Sequence, residues 1–176
     1  MKSPATKALE SAIQSVADAT AEIAALGQLA NDSSMRRNSL ECSCDLVDEK
    51  ALAEITRLQV IEALMPRRIA NREEALTKLE SDLLNAAHGF IREHLGPRCR
   101  TLINRAKDKA RAEFRSHFTD KAELEQVLEK SALVVELENL SYRAKVREQP
   151  PGQLVAYAQQ LLRTWSECDA LETKLT

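Results

Sequence analysis

The chain has 176 residues, enough for one domain with a sizeable core, and 25 Lys and Arg against 27 Asp and Glu leave it near neutrality at −2. That balance excludes a chain that is, as a whole, an electrostatic magnet for nucleic acid or anionic membranes. With 44% hydrophobic and 30% charged residues, four Gly and 3% aromatics, the composition is that of long helices, and strand formers are scarce.

The opening 28 residues carry Lys2 and Lys7 but no continuous apolar core of signal-peptide length, and no later run reaches about 18 apolar residues. The expectation is a cytoplasmic protein without a membrane span. Cys42, Cys44, Cys99 and Cys168 are too few and too scattered for a disulfide scaffold, which fits a reducing compartment, and the sequons at Asn31 and Asn139 are discounted on the same reasoning.

In residues 1–30, Leu9, Ile13, Val16, Thr20, Ile23, Gly27 and Ala30 keep an unbroken 4,3 alternation, which predicts an N-terminal amphipathic helix with a coiled-coil seam. Residues 31–45, "NDSSMRRNSLECSCD", show no apolar stripe and several side chains that compete for their own backbone. They are expected to be a flexible polar loop. Within them "RRNSL" places Ser39 as an acceptor for a basophilic kinase, and a phosphate there would add about two negative charges beside Arg36 and Arg37.

Residues 46–176 read as a helical bundle. From Ile55 the alternation runs through Leu58, Glu62, Met65, Ile69, Arg72, Leu76, Leu79, Leu83, Ala86 and Phe90 and keeps its phase across Pro66. A loop of arbitrary length would reset the phase, so the reading is one long helix kinked at Pro66, where the proline costs about 3 kcal/mol. "HLGPRC" predicts a stop, with Gly96 in the left-handed conformation and Pro97 opening the next helix. That helix and the one after it form the expected hairpin over 97–148, the second running from Lys121 to about Arg147 with Asp120 and Glu123 as a capping box. It carries two stripes, Leu128, Ala132, Val135, Asn139, Tyr142 and Val146 beside Leu133, Leu137, Leu140 and Ala144, which suggests two neighbours. "EQPPGQ" breaks the chain, and a C-terminal helix over 153 to about 174 shows Leu154, Ala158, Leu161, Trp165, Cys168, Glu172 and Leu175 at heptad spacing. The fold class expected is all-α, an elongated coiled-coil-like bundle of about five helices.

The most basic segment is "LINRAKDKARAEFRSHF". From Arg98 to Arg115 there are seven basic residues against two acidic, a local +5. Cys99, Ile103, Ala106, Ala110, Phe114 and His117 fall on one helical face, with Arg98, Arg105 and Lys109 along one border and Arg100, Lys107 and Arg111 along the other. Flanking of this kind is what coiled-coil edge positions show. From Asp120 to Glu138 six acids and two Lys give a local −4 that answers it across a hairpin. Nucleic-acid binding through Arg100, Lys107, Arg111 and Arg115 is the alternative, although no aromatic stacking set, Gly-rich RNA motif or zinc-finger spacing accompanies it.

Cys42-Ser-Cys44 is a single ligand pair where zinc sites show two, and His88 and His94 fall on different faces of a helix. No metal or other cofactor is expected. A phosphate-binding loop, a nucleophile elbow and a His-Glu-x-x-His helix are all lacking from the sequence, so no enzymatic activity and no small-molecule substrate are expected. Trp165 and Tyr157 read as packing residues of the last helix. The functional expectation is a scaffold or adaptor that binds a helical protein partner or a second copy through the apolar seam Ile55, Leu58, Met65, Ile69, Leu76, Leu79, Leu83 and Phe90.

Overall fold

The computed structural model describes residues 3–43, 48–114, 121–129, 131–143, 145 and 152–175. Among them there is no strand: the elements are α1 (Pro4–Ser43), α2 (Glu49–Phe90), a π-helical turn (Ile91–Leu95), α3 (Gly96–Phe114), α4 (Lys121–Glu129), α5 (Ala132–Arg143) and α6 (Leu154–Leu175). The all-α expectation holds, and the helices pack side by side as in a bundle. No helix of the described residues is long and apolar enough to cross a membrane.

The helix starts follow from local chemistry. Ser3 caps α1, its Oγ accepting from the Thr6 amide at 3.2 Å, with Pro4 in the first helical position, where its missing N–H costs nothing. Asp48 caps α2, with Oδ1 accepting from the amides of Lys50 (3.0 Å) and Ala51 (3.2 Å). Ahead of α6, Gly152 takes a φ of +82°, a conformation that glycine enters without a side-chain clash, and the Gln153 carbonyl accepts the first helical bond from Tyr157.

Three sequence expectations are corrected. Residues 31–43, expected to begin a loop over 31–45, are helical and complete α1; 44–47 lie outside the described residues. The 4,3 alternation in fact continues past Ala30 to Ser34 and Arg37, so the seam persists with polar occupants and no apolar stripe announces it. Ser39 therefore sits exposed on a helix, one turn before its end, its carbonyl accepting from Ser43 Oγ.

The second correction concerns Gly96. It is right-handed (φ −63°), and its amide reaches back five residues to the Ile91 carbonyl, so the helical run continues from α2 into α3. Pro97 cannot donate to the residue four before it and would crowd that carbonyl; a widened π turn accommodates both facts. Glycine is required there for closeness, since a Cβ would lie 2.9 Å from the Ile91 oxygen. Pro66, by contrast, lies inside α2 without interrupting it.

Third, the helix expected over 121–147 is two helices. Ser131 is non-helical and its carbonyl accepts from Val135 at 2.9 Å, so a new helix starts at Ala132. Asp120 of the expected capping box lies outside the described residues.

The chain divides into two compact units, 1–13 with 82–176 and 14–81. In the first, α3 packs on α4, α5 and α6, α5 also packs on α6, and the core is built from Leu95, Cys99, Leu102 and Ala106 with Leu137, Leu140, Ala158 and Leu161, all at most 2% exposed. Leu102 replaces Phe114 in the buried face of α3; Phe114 is exposed, and His117 is outside the described residues. On α5, Val134, Leu137 and Leu140 are buried while Val135 and Tyr142 of the other stripe face solvent. In the second unit α1 and α2 run antiparallel, a direction fixed by cross-helix ion pairs of Glu22 with Arg72 (2.8 Å), Arg36 with Glu54 (3.1 Å) and Arg37 with Glu62 (3.1 Å).

Candidate functional site

The seam proposed from sequence to meet a partner is largely occupied by the chain itself. Ile55, Leu58 and Met65 are buried in the 14–81 unit, Leu83 and Phe90 in the other, and Ile69, Leu76 and Leu79 are half-buried. This corrects the sequence assignment. A 3.5-residue repeat on α2 needed a facing helix, and in the 14–81 unit α1 supplies it once its true length is known. The pairing includes charge: Arg37 and Glu62 both occupy seam positions, with side chains only 26% and 24% exposed. Arg37 Nε and Glu62 Oε1 are buried and meet as an ion pair without hydrogen-bond alignment.

A different apolar surface remains. On α2, Val60 and Leu64 are 54% and 51% exposed, and they lie one turn apart on the side roughly opposite Ile55, Leu58 and Met65. Leu52 on the same helix and Leu29 and Met35 on α1 are exposed as well. Sequence reading passed over these residues because they fall outside the seam register; their signal was a large apolar side chain on a helix face already supplied with polar neighbours.

The basic helix is an internal ion-pair hub. Along one border of α3, Arg98 Nη2 donates to Asp169 Oδ1 (2.5 Å) and Glu172 Oε2 (2.6 Å), Arg105 reaches Glu172 (3.3 Å), and Lys109 donates to the Lys174 carbonyl (3.2 Å), all on α6. Along the other, Lys107 pairs with Glu138 (3.5 Å) on α5, and Arg111 grips Glu125 (2.9 Å) on α4. These are the two borders that the helical wheel separates. Arg100 is exposed, and Arg115 lies outside the described residues. Of the four cations put forward for nucleic acid, Lys107 and Arg111 thus already hold carboxylates of this chain. The hydrogen bond to Glu125 holds the Arg111 guanidinium above its ordinary range.

Arg98 is the most enclosed of these cations. Burial works against its charge, but the hydrogen bonds to Glu172 and Asp169 together outweigh burial and raise its pKa. Its guanidinium carbon lies 4.4 Å from the centroid of Trp165, which in turn packs tilted on Phe90 at 5.4 Å. One guanidinium nitrogen, Nη1, is buried without a partner. Arg98, Trp165 and Asp169, with Ser3 and with Thr6 and Glu10 of α1, line a cleft of about 480 Å³.

Behind Arg98 the core brings together two thiols that the sequence keeps 69 residues apart: Cys99 Sγ and Cys168 Sγ are 3.7 Å from each other, both fully buried. Their meeting was half legible, since each sits on the apolar face of its helix, but only the packing of α3 on α6 makes them neighbours. Cys42 is exposed at the end of α1, Cys44 is outside the described residues, and among the described residues no group of three or more His, Cys, Asp or Glu is placed to hold a metal ion. No known protein family, curated protein or solved structure matches this chain.

Proposed function

We propose that this chain is a non-enzymatic helical scaffold or adaptor that binds a helical protein partner, in the first instance a second copy of itself, through the outer face of the 14–81 unit. The observation that carries this reading is the exposure of Val60 and Leu64, one turn apart on the side of α2 away from its buried seam. A two-helix unit buries one stripe from each helix, and apolar side chains on the outer face gain burial only when another element covers them. Val60 and Leu64 are already about half covered, so burying the rest would contribute about 1 kcal/mol apiece.

The experiment is light-scattering mass on a size-exclusion column over a hundredfold concentration range, for wild type and for the double variant Val60→Lys with Leu64→Lys. A defined oligomer that the double variant returns to monomer, with far-ultraviolet circular dichroism unchanged, supports the reading. A wild-type monomer at every concentration rejects self-association. A monomer that carries nucleic acid, released by salt, would move the assignment to the basic helix.

A further inference from the structure

We propose that Cys99 and Cys168 form a redox modification site, a dithiol that a small peroxide converts to a disulfide locking α3 to α6. The two sulfurs sit in van der Waals contact at 3.7 Å, from helices that pack directly on each other. A disulfide sets its sulfurs about 2.05 Å apart, so each needs to move by less than about 1 Å, within the reach of side-chain rotation. Residues packed only as small apolar fillers have no reason to meet sulfur to sulfur, and no other pair of cysteines among the described residues does so.

The surroundings give the two thiols different roles. Cys99 is acidified by the hydrogen bond it receives from Cys168, against the opposing effect of burial, and the Arg98 charge adds to it. Cys168 is pushed well above the ordinary thiol range by that same bond and by burial. Cys99 is therefore the attacking sulfur and Cys168 the resolving one. Both are fully buried, which favours a small oxidant over a bulky disulfide. Their chain neighbours Arg98 and Asp169 line the cleft, so solvent reaches to within one residue of each.

The chemistry balances with hydrogen peroxide as the two-electron oxidant. The Cys99 thiolate takes one oxygen from the peroxide, breaking the O–O bond and releasing hydroxide, and becomes a sulfenic acid. Cys168 Sγ then displaces hydroxide from that sulfur, and its proton leaves with the hydroxide as water. Two thiols and one peroxide give one disulfide and two waters. The product closes a loop that contains α4 and α5, and a thiol reductant reopens it.

The test uses the full chain with Cys42→Ser and Cys44→Ser, so that only the buried pair remains, treated with a few-fold excess of hydrogen peroxide. The expected result is a mass lower by two hydrogens, one linked peptide joining Cys99 to Cys168, and loss of both alkylation sites under denaturing conditions. The Tm should rise by roughly 5–10 °C and return with dithiothreitol. Thiols that stay fully alkylatable, or that pass to sulfinic acids without a link, overturn the site. Adding Cys168→Ser should leave Cys99 trapped by a sulfenic-acid-reactive diketone, whereas Cys99→Ser should leave Cys168 unlabelled; the opposite pattern overturns the assigned order. Should either variant fail to fold, peptide mapping of the intact pair still decides the site.

Discussion

Replacing Arg37 and Glu62 by Leu, singly and together, tests whether the 14–81 unit is held in register by a charge pair inside an apolar seam. The pair is 3.1 Å apart with about a quarter of each side chain exposed, and the facing atoms are themselves buried. Removing one partner of a fully buried pair costs about 3–5 kcal/mol. Partial exposure lets water screen the charge left behind, so about 1–2 kcal/mol is expected for each single replacement. Arg37→Leu also gives up a longer contact with Glu41 at 3.7 Å, about 0.3 kcal/mol more. The double variant places two leucines in facing seam positions and should return to within about 1 kcal/mol of wild type, or exceed it. The cycle therefore predicts a coupling energy of about 1–2 kcal/mol, measured by urea unfolding followed by circular dichroism with the slope checked for constancy. Additive replacements, with coupling below about 0.3 kcal/mol, would refute the pairing of Arg37 with Glu62.

Three further outcomes follow from the same geometry. Gly96→Ala should lower the Tm, although alanine in a helix ordinarily gains about 1 kcal/mol over glycine, because the new Cβ would meet the Ile91 carbonyl at 2.9 Å; a rise in Tm by differential scanning calorimetry would show that the π turn relaxes freely. Arg98→Ala leaves Asp169 and Glu172 without their shared cation and uncovers Trp165, so stability should fall by about 1–2 kcal/mol with a change in tryptophan emission, and unchanged fluorescence would contradict the stacked geometry. For pH, the raised Cys168 pKa means that above about 8.5 the unfolded chain loses a proton that the folded chain keeps, so stability falls as pH rises, by up to about 1.4 kcal/mol per unit. The lowered Cys99 pKa works the other way just below that range, so the advantage of wild type over Cys168→Ala should rise toward pH 8.5 and shrink by pH 10 in urea titrations.

What could be read from sequence was set by where the apolar pattern carried information. Helix α6 was legible in part, since Leu154, Ala158, Leu161 and Cys168 of the expected stripe are buried while its Trp165 and Glu172 are half-buried and Tyr157, Thr164 and Leu171 join the buried face, and the charge pairing of α3 was legible because its cations flank an apolar stripe on borders that face acidic helices. The second half of α1 was not, because Ser34 and Arg37 occupy the seam there, and a polar residue in a seam has the same sequence signature as a loop. Its helicity is paid for by the partner: Glu62 lies opposite Arg37, and that choice is invisible until α2 is set beside α1. The same reasoning explains why Ile55, Leu58 and Met65 are buried within the chain rather than left exposed. A seam read from one helix is an unmet demand for burial, and the longer α1 turned out to be, the more of that demand the chain could meet internally. Val60 and Leu64 then become informative for the opposite reason, since they lie off the repeat and neither α1 nor any other described helix covers them.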